Sequence, residues 1–256
     1  METLKIIKKE NYAILQLDRG RGNAINLQMM KDIMQAMDEL SSNNEIRGVV
    51  LIGKAPIFSV GLDVKELLML DKKGTSIFFK TFGEMIYKMA HFPKPIVAAI
   101  NGHCPAGGCV MAICCDFRVM GEGPYTIGPN EVQVGIMIRP FIFELYSFWI
   151  GKKQAYHNFL EGKLCTPEEA KTQGLVDAVV PMEQVQERAE AQLKKWLAFD
   201  NDTLLGVKHN LRLALLKKMT AQEKWEGLID INDHFWKPTS KETLMKVIMA
   251  LQSKKK

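Results

Sequence analysis

The stretch from Lys94 to Ile136, KPIVAAINGHCPAGGCVMAICCDFRVMGEGPYTIGPNEVQVGI, restricts the fold of this chain more than any other. Pro95 to Ile100 is a short apolar run with the pattern of a buried strand, and Asn101-Gly102-His103-Cys104 reads as a turn. From Pro105 to about Cys115 the pattern is helical. Pro105 suits a first helical position because it lacks an N–H that would have no partner there. Gly107 and Gly108 leave the first turn bare of side chains, so its free N–H groups, with their partial positive charge, face whatever docks above them. Two short strands then lead to Glu131, a lone carboxylate in Pro129-Asn130-Glu131-Val132, just ahead of another apolar run. A strand, a glycine-bearing helix start and a returning carboxylate suit a site where N–H donors hold a developing oxyanion while the carboxylate moves a proton.

Around this stretch the chain alternates strands with helices. Leu4–Lys9 and Tyr12–Asp18 read as a hairpin, the second strand by the alternation in Ala13-Ile14-Leu15-Gln16-Leu17. Arg19–Asn23 is a loop, and Leu27–Leu40 has helical spacing at Met30, Ile33, Met34 and Met37, a core face rather than a row of sulfur ligands. Ile46–Gly53 is a near-continuous apolar strand that feeds Lys54–Asp63 and a short helix at Val64–Leu70. Asp71–Gly74 is expected to break the chain before an amphipathic helix over Ser76–Ala90. Past Glu131 the pattern stays helical, over Arg139–Ile150 and Lys152–Leu160. Thr166-Pro167-Glu168-Glu169 has the composition of a capping box, and Leu175–Val180 reads as a last strand. Helices are expected over Met182–Phe199, Asp202–Lys218 and Thr220–His234, with Thr239–Glu242 capping a final one. Their apolar faces hold Trp196, Trp225 and Trp236 and require cover.

Composition narrows the function classes. With 256 residues, 47% of them hydrophobic, the chain has enough apolar material for a substantial core in one large α/β domain or two small ones. Its formal charge of +5, from 34 basic and 29 acidic residues, is modest, and no arginine-rich helix or basic patch interleaved with aromatics points to nucleic acid. The five cysteines, an odd number, lie mostly in apolar surroundings, where thiols behave as small hydrophobes. The Cys104–Cys109 spacing is too wide for the common zinc pair, so no metal site is expected. No apolar run is long enough to cross a membrane. Met1–Lys5 has neither a basic nor an apolar leader region, and the chain does not end in Ser-Lys-Leu, so the expected compartment is the cytoplasm, or the mitochondrial matrix for a trimmed mature form. There is no phosphate-binding P-loop and no G-x-G-x-x-G after a strand.

Two motifs resemble those of the crotonase (enoyl-CoA hydratase/isomerase) superfamily. Ile57-Phe58-Ser59-Val60-Gly61-Leu62-Asp63 is similar to its F-S-x-G-x-D, and Asn101-Gly102 through Gly107-Gly108-Cys109 to Cys115-Asp116 is similar to its N-G-x-x-x-G-G-G/C block. Within the superfamily, CPAGGC followed by NE most resembles the Δ3,Δ2-enoyl-CoA isomerases of mitochondrial type. The resemblance implies an α/β fold, a spiral of ββα repeats over residues 1–195 that binds acyl-CoA, followed by a C-terminal helical segment, 196–256, that serves in oligomerisation to a homotrimer or a dimer of trimers. Packing of that segment onto its own subunit is the rival reading.

The resemblance also implies roles. The backbone N–H groups of Leu62 and Gly107 would hold the thioester oxygen. The sequence agrees independently, since Gly61 permits close approach and Gly107 opens a helix. Tight helix packing is the other reading of Gly107-Gly108. Glu131 would be the base, its pKa raised by partial desolvation, though a carboxylate there also suits an ordinary surface turn. Asn130 would orient the carboxylate or the thioester. The coenzyme A moiety of the substrate, the only cofactor implied, would lie along Ala24, Val60, Gly61, Leu62, Asp63, Val64 and Lys65, of which Lys65 reads equally well as a solvated lysine. Residue 110, three beyond Gly107 and so on its face of the helix, is where hydratases of the family carry a second glutamate. Here it is Val110, and Arg139 stands where dienoyl-CoA isomerases carry an aspartate. Isomerisation by a single base is the expected reaction. The alternatives are a hydratase, another crotonase-type lyase or hydrolase, and a non-catalytic acyl-CoA-binding homologue.

Overall fold

The structure, a computed structural model, describes residues 1–221 and 228–253. Strands β1 (Leu4–Lys8), β2 (Ala13–Leu17), β3 (Val49–Ile52), β4 (Ile96–Ile100), β6 (Phe117–Gly121) and β8 (Ala178–Val180) form one sheet in that order, antiparallel at β1–β2 and parallel elsewhere. Every residue of β3 and β4 is buried, as parallel strands require when helices cover both faces. One face packs on α1 (Leu27–Ser42), α3 (Lys72–Ala90) and α4 (Gly107–Cys114). Helix α8 (Val185–Leu197) covers the other, with Val185, Ala189 and Leu193 on Ile14, Val50, Val97 and Val119. The alternation in β2 therefore does not produce a wet face: Ile14, between Ala13 and Leu15, is as buried as they are.

Each turn of the chain adds a second, shorter segment. Ile25 bridges Leu62, Ile57 bridges His103, and β5 (Cys104–Pro105) pairs with β7 (Ile127–Gly128), which bridges Cys165. This succession of one long strand, one short bridged segment and a helix is the expected spiral, and it brings the 57–63 loop beside the start of α4.

Several boundaries differ from expectation for local reasons. Asp71 does not break the chain but caps α3, its carboxylate accepting from the Gly74 N–H at 2.7 Å, so that helix starts ahead of Ser76. Pro105 belongs to β5, and α4 begins at Gly107 after Ala106, whose φ of 49° and ψ of −127° make the turn. Glu131 opens a single 3-10 turn over Glu131–Val134. The capping box at Thr166 and Glu169 is present at the start of α7 (Pro167–Thr172). Helix α9 runs over Asn201–Ala221, beyond the expected break at Thr220, and α10 is Ile231–Phe235; of the expected 220–234 helix, residues 228–230 are not helical, and 222–227, with Trp225, lie outside the described residues. The last helix, α11 (Pro238–Ser253), starts at its proline, which puts Thr239–Glu242 in its first turn.

The C-terminal helices bury Leu215, Met219, Phe235 and Leu244 in the chain's own core. Arg212, on α9, is 4% exposed, pairs with Asp116 at 3.3 Å and donates to the carbonyls of Ala90, Cys114 and Cys115 at 3.2, 2.9 and 3.2 Å. Arg212→Leu leaves the half-buried Asp116 with Lys208 as its remaining cationic partner and takes one donor from each of the three carbonyls, of which Cys115 keeps Arg118. The expected cost is about 3 kcal/mol, read as a lower urea midpoint; a change under about 0.5 kcal/mol would show that this contact does not hold α9 in place.

Candidate active site

The 57–63 loop is fixed from both sides. The Phe58 and Ser59 N–H groups donate to the His103 carbonyl at 3.0 and 3.3 Å, and the Ser59 hydroxyl donates to the Asn23 carbonyl at 2.8 Å while accepting from the Gly61 N–H at 3.2 Å. Ile25 donates to the Gly61 carbonyl at 2.8 Å and accepts from the Asp63 N–H at 2.9 Å. The alternation of a ladder turns the N–H between them, that of Leu62, to the opposite side. Across from it, the Ala106 N–H donates to the Gly128 carbonyl at 2.9 Å and anchors the α4 entry. Among the described residues neither the Leu62 nor the Gly107 N–H has a protein acceptor. The two backbones nearly touch: a Cβ on Gly61, which sits at φ +85°, would lie 3.0 Å from the Gly107 nitrogen, and one on Gly107 would lie 3.4 Å from the Leu62 nitrogen. Gly108 serves another purpose, since its Cβ would meet the Ser59 carbonyl oxygen at 2.6 Å. Tight packing is thus the reason for Gly108, and close approach of two donors the reason for Gly107.

These donors open on a cavity of about 330 Å³ lined by Leu62, Gly107, Asn130 and Glu131 and otherwise mostly by apolar side chains. Glu131 is held by its 3-10 turn, where its carbonyl accepts from the Ile136 N–H at 3.0 Å. It is 8% exposed, and burial pushes its carboxyl from the ordinary 4.5 up to about 7. Its Oε2 and the Oδ1 of Asn130 are both buried without a hydrogen-bond partner, a cost that natural sites bear where a ligand completes them. No hydrogen bond joins Asn130 to the Glu131 carboxylate, so that part of its expected role is not built in. Among the described residues Glu131 is the cavity's one acidic side chain.

Of the other sequence-derived candidates, Val60 and Val64 line the cavity and Gly61 lies directly behind Leu62. Ala24, Asp63 and Lys65 lie outside its lining. Asp63 caps α2 (Val64–Met69) and pairs with Arg19 at 2.8 Å, while Lys65 is exposed. Val110 does not face the cavity as its spacing from Gly107 suggested. It is buried in the core cluster and is not among the residues that line the cavity. Sequence reasoning missed Phe79 and Phe82 of α3, Ile231, and Leu244 and Val247 of α11, all of which line the cavity, as does Arg139, which the sequence marked only by the aspartate it replaces. They come from elements far apart in sequence, and no local pattern marks them. All five cysteines are buried as free thiols, and among the described residues no cluster of metal-ligating side chains exists. No described helix is long and apolar enough to cross a membrane.

The sequence matches the enoyl-CoA hydratase/isomerase family over residues 8–250. It is 35% identical to the mouse enoyl-CoA delta isomerase 1, mitochondrial, over 83% of this chain and 74% of that one, and 31% identical to the human protein of the same name over 82% and 70%. A putative enoyl-CoA hydratase of Thermus thermophilus is 32% identical over 82% and 83%. Among solved structures, human mitochondrial delta3-delta2-enoyl-CoA isomerase superposes with a TM-score of 0.93 over 99% of this chain and 100% of that one, at 27% identity. The spiral, the facing N–H donors and these matches agree: the chain belongs to the enoyl-CoA hydratase/isomerase, or crotonase, family and within it is most like the mitochondrial Δ3,Δ2-enoyl-CoA isomerases.

Proposed function

We propose that this protein is an acyl-CoA isomerase that moves the double bond of a 3-enoyl-CoA to give trans-2-enoyl-CoA. The observation that carries the reading is Glu131, the one carboxylate lining the cavity among the described residues, poised near neutrality in the same cavity as two free N–H donors. Glu131, ionised, takes a proton from C2 of the thioester. The C–H electron pair moves toward the carbonyl, and the resulting dienolate carries its charge on the thioester oxygen, where the Leu62 and Gly107 N–H groups donate. The protonated Glu131 then returns the proton to C4, leaving the double bond between C2 and C3 and the composition unchanged. A base with a pKa near 7 both accepts and releases a proton readily at neutral pH. Asn130 orients the thioester from the wall, and the coenzyme A portion extends along Ala24, Val60, Asp63 and Lys65.

Hydration is the competing reaction, and it is named for the Thermus relative. Adding water needs a group to hold that water beside the base, and no second carboxylate lines the cavity among the described residues. The deciding assay follows conversion of a 3-enoyl-CoA to trans-2-enoyl-CoA with hydration of the product measured alongside. Isomerisation should be the faster by far; hydration at a comparable or higher rate refutes the reading.

Such an activity belongs to the β-oxidation of unsaturated fatty acids, in the cytoplasm or, for a trimmed form, in the mitochondrial matrix. Assembly as a homotrimer or a dimer of trimers is part of the proposal. Its support is apolar surface left uncovered by the chain itself: Phe148, Val207 and Leu211 are exposed around a cleft of about 290 Å³, and Tyr156 and Leu160 around another of about 580 Å³. Sedimentation equilibrium should give three or six times the chain mass, and a monomer at micromolar concentration contradicts it.

A further inference from the structure

One wall of the cavity is made by this chain's own C-terminal helices. Ile231 of α10 and Leu244 and Val247 of α11 close against Phe79 and Phe82 of α3 and Ile142. The closure is pinned from behind. The Thr75 hydroxyl, fully buried, donates to Asn232 Oδ1 at 2.6 Å and accepts from the Trp236 indole N–H at 2.8 Å, and Asn232 Nδ2 donates to the Lys72 carbonyl at 3.1 Å. Phe79 stands edge-on to Phe235, with ring centroids 5.6 Å apart. Beyond Phe79 and Ile231 lies a second cleft, of about 440 Å³, whose lining includes Ser76, Lys80, Glu84, Asp230 and Asn232. An apolar tail that pushed through the wall would leave hydrocarbon for charged side chains.

We infer that this pinned wall measures the acyl chain and selects medium-length acyl groups of about ten carbons or fewer. The inference rests on the acyl-CoA reading above and adds the substrate's length. A methylene, like a water molecule, takes up roughly 30 Å³ in a condensed phase, so the 330 Å³ cavity holds about ten such groups before the tail meets Phe79 and Leu244. Each methylene buried up to that point strengthens binding about fourfold, and each one beyond it gains nothing or is repelled.

The test is the affinity of saturated, straight-chain acyl-CoAs from four to sixteen carbons, measured by calorimetry on the intact protein and so independent of any turnover. Affinity should rise about fourfold per carbon to a break near eight to ten carbons and then level or fall. Leu244→Ala should move the break to longer chains by about two carbons, and Val247→Phe should move it to shorter ones. Where a variant fails to fold, the wild-type series decides alone. A steady rise through sixteen carbons, a break that neither folded variant moves, or no binding at any length overturns the inference. Isomerase activity, assayed separately on 3-hexenoyl-CoA, distinguishes the two readings: a clear break without isomerisation keeps the pocket and removes the reaction, whereas isomerisation without a break does the reverse.

Discussion

Glu131→Gln lowers isomerase turnover by about 10²–10⁴-fold or more while leaving acyl-CoA affinity within a few-fold of wild type. The amide keeps the shape of the carboxylate but cannot take the C2 proton, and no other acidic side chain among the described cavity residues stands in for it. In the wild type the rate should climb with pH and reach half its maximum near 7, following ionisation of a carboxyl held at about 7 by burial. The same substitution should stabilise the fold, which distinguishes a functional from a structural role. A carboxyl whose pKa is about 7 folded and 4.5 unfolded has no effect on stability below pH 4.5, where both states hold the proton. As pH rises from 4.5 to 7 the unfolded chain ionises first, and the fold loses up to about 3 kcal/mol, a loss that remains above pH 7. Glutamine escapes it. Unfolding in urea should therefore find the variant equal to wild type at pH 4.5 and more stable by up to about 3 kcal/mol at pH 8. Retained turnover, or a variant less stable at pH 8, removes Glu131 as a buried base.

The candidate site was legible in the sequence because its geometry is carried by backbone and by one carboxylate. Gly61 and Gly107 are where side chains must be absent for two N–H groups to converge, and that requirement writes itself into residue identity at fixed positions. Glu131 stood out as a carboxylate among apolar neighbours, and its burial followed. The central strands were legible for a similar reason, since β3 and β4 are buried on both faces and must be apolar throughout. What spacing could not reveal depended on neighbours. Val110 shares a helix face with Gly107, yet neighbouring core side chains bury it and it does not line the cavity. Asp71 and Gly74 look like a chain break and act as a helix cap and first turn, a distinction set by whether the carboxylate finds the Gly74 N–H. The cavity wall at Phe79, Ile231 and Leu244 left no trace in any local pattern, because these residues come together only after α10 and α11 fold back over α3. Apolar faces on those helices showed that they needed cover without showing that the cover was their own subunit.

Gly107→Pro should cut turnover by about 10²–10³-fold and change substrate affinity much less, because it deletes a donor whose contact strengthens as charge develops on the thioester oxygen. The helix itself tolerates the change: Gly107 is the first residue of α4, a position where proline is favoured and where its N–H has no acceptor to lose among the described residues. Steric disturbance is the competing cause, since the ring enters a space where Gly61 and Leu62 already approach closely. Gly107→Ala separates the two effects. It keeps the N–H and adds a Cβ that would lie 3.2 Å from Ile25 Cδ1 and 3.4 Å from the Leu62 nitrogen, contacts that small shifts of a flexible side chain relieve. If the lost donor dominates, the alanine variant retains at least about ten times the turnover of the proline variant, and the proline variant shows its loss in kcat rather than in KM. Equal losses in both variants would assign the effect to crowding, and full turnover in a folded proline variant would move the oxyanion donor away from Gly107.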